Sequence, residues 1–141
     1  MNLPFRILGI EHIGIAPKDP QSLNAFFQKQ LGIQKTDEEL VATQKTRTFF
    51  FQCGDSPTHL EVLEPSSPGL GPIASFLEKK GAGIHHIALR VDKLSEALKH
   101  LASQGVELID TSPRPGAHGS QVAFIHPRAC SGILIELVQR V

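Results

Sequence analysis

The sequence predicts an α+β fold: two tandem βαβββ modules, their strands forming a curled mixed sheet that makes a half-barrel cleft with helices outside. Three observations predict it. Ile10-Glu11-His12-Ile13-Gly14-Ile15-Ala16 returns 74 residues later as Ile84-His85-His86-Ile87-Ala88-Leu89-Arg90. Leu60-Glu61-Val62-Leu63 is matched by Ile135-Glu136-Leu137-Val138. Gly32 and Gly105, each closing a predicted helix, lie 73 positions apart and the two glutamates 75, the near-constant offset of a duplicated unit with small loop insertions. A single domain, 1–141, is expected, with module 1 at about 8–64, a linker with a short helix at 65–82, and module 2 at about 83–141.

Each element has a local reason. Residues 8–16 alternate, with Ile10, His12, Gly14 and Ala16 on one face and Ile13 and Ile15 on the other, which is a strand pattern. Asp19-Pro20 is a helix start, with Asp as cap and Pro in the first turn. Leu23, Phe26, Phe27 and Leu31 follow at helical spacing and Gly32 ends the run. Residues 33–44 are polar and predict an edge strand plus a loop. Thr46 to Phe51 is aromatic and β-branched and predicts a strand. Gly54-Asp55-Ser56-Pro57 is a turn, and Thr58 to Leu63 the next strand.

The Pro- and Gly-rich stretch 65–72 is a linker, followed by a helix from Ile73 to Lys80. Strand 84–91 opens the second half. The helix Leu94 to Ser103 sets Leu94, Ala97, Leu98 and Leu101 on one face. A short strand is expected at Val106–Ile109, a long loop at 112–119, and strands at 121–126 and 133–138.

Bulk composition excludes several function classes. Formal net charge is zero, so nothing favours nucleic acid or an anionic membrane surface. No apolar run approaches the roughly 20 residues that span a bilayer. The start Met1-Asn2-Leu3-Pro4-Phe5-Arg6 lacks the charged region and long apolar core of a signal peptide. Cys53 and Cys130 have no metal-type spacing and build no disulfide framework, so a reduced, cytoplasmic setting is expected.

The repeat also places chemistry. His12 and His86 share faces with Gly14, Ala16 and Ala88, small neighbours that leave room for a ligand. Glu61 and Glu136 each sit among aliphatic residues, where an unpaired carboxylate is costly. Four such residues, one per repeated strand, can converge on one divalent cation. Imidazole plus carboxylate without thiolate suits Zn, Co, Ni, Mn or Fe(II) with open positions. A lone strand histidine is usually a satisfied core or surface residue, and a lone buried glutamate usually an ion pair; recurrence in matching phase is what favours a metal. His85 is one residue out of phase and reads as structural. His59 shares a face with Glu61 and reads equally as a supporting or an exposed residue.

These motifs carry a resemblance. Ile10–Ala16, Glu61-Val62-Leu63-Glu64-Pro65, Ile73–Lys80, Gly83–Leu89, Pro113-Arg114-Pro115-Gly116-Ala117-His118-Gly119, Phe124-Ile125-His126-Pro127 and Gly132–Leu137 together cover nearly the whole chain. The chain resembles the vicinal oxygen chelate (glyoxalase/bleomycin resistance/dioxygenase) superfamily, whose members pair two βαβββ modules around a divalent metal. Within it the likeness is nearest to the methylmalonyl-CoA epimerases. The resemblance implies His12, Glu61, His86 and Glu136 as ligands of one cation (Co, Zn, Mn or Ni), with Glu136 also transferring a proton. It implies an acyl-CoA substrate and a homodimer. Thr48 stands where some relatives carry a catalytic Glu, so it falls beside the substrate, as do Gly116, Ala117 and Gly119 of the loop. For the second acid/base the sequence offers a metal-bound water, His118, Glu38 or Glu39. A glyoxalase I-type lactoylglutathione lyase, an Fe(II) extradiol dioxygenase and a metal-free binding protein of the same fold are the alternatives.

Overall fold

Strand β1 (Ile7–Ala16) runs through both compact units of the protein, whose computed structural model describes residues 2–141. One unit is His12–His85; the other joins the residues up to Glu11 with His86–Val141. The class is α+β, with mixed sheets, as the repeat predicts.

In the unit His12–His85 the strand order is β2 (Gln34–Val41), β3 (Thr46–Gln52), β4 (His59–Pro65), then β1. β1 and β4 are parallel; β2–β3 and β3–β4 are antiparallel. Asp19 caps helix α1 (Pro20–Ala25): its Oδ1 accepts from Gln21 N at 3.1 Å, and Pro20 opens the first turn. The helix then widens by one wide turn over Phe26–Gln30, and Leu31 N reaches back five residues to Phe26 O. Gly32, at φ +65°, releases the chain toward β2.

Alternation divides β3 between two environments. Phe49 and Phe51 turn to α1 and pack with Phe27 and Val62. Phe27 meets Phe51 edge-on at 5.2 Å between ring centres. Thr46, Thr48 and Phe50 take the opposite face. There Ala16 and Leu63 pack against Ile73, Phe76 and Leu77 of helix α2 (Pro72–Lys80). Ala16 and Leu63 are in phase with His12 and Glu61, so α2 bounds the histidine- and glutamate-bearing face at one end.

The other unit repeats this order: β6 (Arg114–Pro115), β7 (Gln121–Ile125), β8 (Ile135–Gln139), then β5 (Gly83–Val91), which enters the unit at His86. β5–β8 is parallel, β7–β8 and β6–β7 antiparallel. Helix α3 (Leu94–Ser103) matches the predicted span and buries Leu94, Ala97 and Leu98 against Val91, Ala123, Ile125 and Leu137. Ala88, Val122 and Val138 pack on the opposite face.

One expected strand is corrected. Val106–Ile109 makes only an isolated bridge, Leu108 to Ile125. Ile109 N and Asp110 N both donate to Phe124 O, a doubled contact that turns the segment instead of extending a ladder. The second strand of this half is instead Arg114–Pro115, at the sheet edge, where a proline is tolerated.

Candidate metal centre

The register of β1 on β4 assembles the first cluster. His12 pairs with His59 and Gly14 with Glu61, so all three functional side chains lie on one face and no side chain opposes Glu61 from β1. Glu61 Oε2 stands 3.0 Å from His12 Nδ1 and 2.7 Å from His59 Nε2. The two imidazoles lie 5.2 Å apart. One carboxylate oxygen is thus shared between two rings, and His12 and Glu61 are buried. His59, which the sequence leaves open, is a partner of Glu61.

The second unit holds its own pair. His86 Nε2 is 3.0 Å from Glu136 Oε1, with both side chains buried. Ala88 and Phe124 flank Glu136 in register on β5 and β7. The Phe124 ring meets His86 edge-on at 5.6 Å, and the Arg114 guanidinium lies over the Phe124 ring, 5.4 Å from its centre. Asp110 fixes that end: Oδ1 is 3.3 Å from Arg114 Nε, and Oδ2 accepts from Phe124 N at 2.8 Å.

Each unit therefore contains one buried His–Glu pair at 3.0 Å, in the strands the sequence repeat marks. The donors are imidazole nitrogen and carboxylate oxygen, and both cysteines are free and only partly buried. That donor chemistry fits a divalent cation with open positions.

The remaining sequence candidates fall as follows. Thr48 is 2% exposed, on the same face as Glu61, between Glu39 and Leu63 in register. The loop closes on itself: Gly116 N donates to Ser120 O, and Ser120 N and Oγ donate to Ala117 O. Gly116 is required there, because a Cβ would meet Val122 Cγ1 at 2.5 Å and Ser120 Oγ at 2.8 Å. Gly119 has φ +71°, and His118, at φ +55°, stands exposed at the loop tip. His85 packs edge-on against Phe76 of α2 at 5.0 Å, a structural role.

Sequence reasoning missed the charged cluster at Glu11. This carboxylate is 3% exposed and is gripped by two arginines. Arg90 donates through Nε at 3.1 Å and Nη2 at 2.7 Å; Arg140 donates through Nε at 3.1 Å and through Nη2 to the other oxygen. The only signal was a glutamate in a strand between isoleucine and histidine, with partners 79 and 129 positions away.

The family model described as the glyoxalase/bleomycin resistance protein/dioxygenase superfamily matches residues 11–124. The chain belongs to this superfamily. Human mitochondrial methylmalonyl-CoA epimerase is 34% identical over 92% of this chain and 73% of its own length. The uncharacterized protein YqjC of Bacillus subtilis (strain 168) is 43% identical over 92% of this chain and 91% of its own. The methylmalonyl-CoA epimerase structure from Mycobacterium tuberculosis superposes with a TM-score of 0.92 at 33% identity, covering 100% of this chain and 93% of the other. A Streptomyces coelicolor methylmalonyl-CoA epimerase variant in complex with 2-nitronate-propionyl-CoA gives 0.90 at 29% identity, covering 96% of each chain. The superfamily member described here is thus similar to methylmalonyl-CoA epimerases in both sequence and structure. No helix among the described residues is long and apolar enough to cross a membrane.

Proposed function

We propose that this chain is an epimerase of 2-methylmalonyl-CoA, moving one proton off and one onto carbon 2. The observation that carries the reading is the pair of buried His–Glu contacts, His12–Glu61 and His86–Glu136, in a chain similar to epimerases over almost its full length. His12, Glu61, His86 and Glu136 are the residues we assign to one divalent cation, with Co, Zn, Mn and Ni as the candidates. That cation, when bound, supplies Lewis-acid stabilisation of negative charge on the thioester and carboxylate oxygens.

The chain's own groups do the rest. Carbon 2 lies between a thioester and a carboxylate, so loss of its proton gives an enolate. Glu136 is the base for one face; a positioned carboxylate contributes about 10²- to 10⁴-fold to such a step. Phe124, itself stacked by Arg114, packs edge-on against the His86 ring beside Glu136 and so helps keep that carboxylate's direction fixed. The loop residues Gly116, Ala117 and Gly119 are assigned to substrate binding, as is Thr48.

A homodimer and a cytoplasmic setting belong to the same reading. Ile7, Leu8 and Ile10 are each about half exposed, an apolar stretch of the kind a second copy covers.

The test is turnover. The metal-loaded chain is given (2S)- and (2R)-methylmalonyl-CoA separately, and the glutathione hemithioacetal of methylglyoxal in parallel. Interconversion of the thioesters with no lactoylglutathione formed supports the reading. The reverse pattern makes the chain a glyoxalase-type lyase, and no dependence on metal with neither product favours a binding protein.

A further inference from the structure

Two imidazoles meet one oxygen of Glu61, at different distances. Glu61 Oε2 is 3.0 Å from His12 Nδ1 and 2.7 Å from His59 Nε2. On the proposed reading of His12 and Glu61 as cation ligands, we infer that His59 is a positioning residue. Its Nε2–H holds Oε2 and so aims the Glu61 carboxylate at the cation. All three side chains belong to the unit His12–His85. The pairing that joins them is local to that unit's sheet. His12 lies opposite His59 on β1 and β4, and His59 and Glu61 alternate onto one face of β4.

The distances separate the two roles. Donor atoms about 2.0–2.2 Å from one ion, and about 90° apart around it, stand about 3 Å from each other. The spacing of His12 and Glu61 matches that separation. The 2.7 Å contact of His59 is shorter, and it has the length of a hydrogen bond to a charged acceptor. A carboxylate binds a cation as the anion and then only accepts, so the proton of this contact sits on His59 Nε2. Packing also places the donor. The His59 ring lies 5.8 Å from that of Phe50 and 5.2 Å from that of His12, between centres, and Phe50 is opposite Glu61 in register on β3.

The duplication does not account for this imidazole. Leu134 takes the corresponding place, two residues before Glu136, and has no donor to offer. His59 is thus an addition to the first half. A partner that orients a ligand in this way is worth about 10- to 100-fold in metal affinity.

The experiment titrates Co(II) into chelator-stripped wild type, His59→Phe, His59→Leu and His59→Gln. It reads Kd and the visible absorption of the bound ion, with circular dichroism as the check on folding. His59→Phe keeps a ring beside Phe50 but removes the donor. Its Kd is expected to rise about 10- to 100-fold, and its absorption band at saturation to change as the carboxylate moves. His59→Leu, a second variant without a donor, should match it. His59→Gln carries an amide N–H to about the reach of Nε2 and should restore most of the affinity and the wild-type band. A wild-type Kd in the folded donorless variants overturns the inference while leaving the cation site intact. So does a loss in His59→Gln equal to that in His59→Phe, which is the behaviour of a direct ligand. A wild type that binds no Co(II), or whose Kd is unchanged by Glu61→Ala, overturns the assignment of Glu61 and the inference with it.

Discussion

His86 Nε2 lies 3.0 Å from Glu136 Oε1, and neither side chain reaches solvent appreciably. A buried carboxylate beside an imidazole is a strong acceptor. His86→Ala is expected to abolish binding of a divalent cation and turnover together, with the far-ultraviolet circular dichroism of the fold retained. Glu136→Gln keeps an oxygen donor and should hold some cation while the rate falls by about 10²-fold or more. Metal content by elemental analysis, measured beside turnover, checks both; a fully active His86→Ala protein would contradict the assignment.

Glu11 is predicted to matter for stability instead. Its two guanidinium partners are each about a third exposed at the side chain, which weakens the pairing relative to a fully dry one. Glu11→Gln should still cost about 2 kcal/mol, because it leaves two converging arginines around a neutral group. Arg140→Met should cost less, since Arg90 remains. Urea unfolding gives both values, and an unchanged midpoint for Glu11→Gln would show that the cluster contributes nothing.

Gly116→Ala is expected to disturb the loop through space alone. The added methyl would fall 2.5 Å from Val122 Cγ1, closer than packed atoms tolerate. Forcing the extra carbon in costs about 1–3 kcal/mol or shifts the loop. Loss of substrate affinity with the cation still bound would place the loop beside the substrate; unchanged KM would remove it from there.

Acid should weaken the fold through carboxylates that gain partners. Asp92 accepts from Arg6 N at 2.7 Å, and this bond is the main cause holding its carboxyl below the ordinary 3.8. Asp19 is held below 3.8 first by the Ser22 hydroxyl, and Glu107 below 4.5 first by Arg128. A depressed folded-state value means stability that is fully present above the unfolded value and lost as pH falls through the folded one. The loss should therefore begin below about pH 4.5 and deepen toward lower pH. Asp92→Asn should flatten part of that slope in thermal melts between pH 5 and pH 2, and an identical slope would exclude Asp92 as a contributor.

Much of this architecture was legible locally. Asp19-Pro20, Gly32 and the Leu94–Ser103 periodicity mark helix ends with chemistry that acts over a few residues. The repeat of histidine and glutamate in equal strand phase placed all four members of the two buried pairs. Other features depend on pairing between distant segments. Val106–Ile109 has strand-forming residues, yet Phe124 O draws two consecutive amides and bends it. Arg114–Pro115 looks like loop because proline hides an edge strand. His59 became a partner of Glu61 only through the parallel register that sets it beside His12. The pairing of Glu39 with Thr48 likewise follows from a hairpin register, with an irregularity between Lys35 and Asp37, that no local pattern specifies.

The most direct measurement is deuterium entry at carbon 2 of methylmalonyl-CoA in deuterated water, with the chain stripped by chelator and then reloaded with a single divalent ion. The account predicts one deuterium per molecule accompanied by inversion in the reloaded protein, and neither in the stripped one. A reloaded protein that leaves the C2 proton in place, or a stripped one that inverts at the same rate, would contradict it.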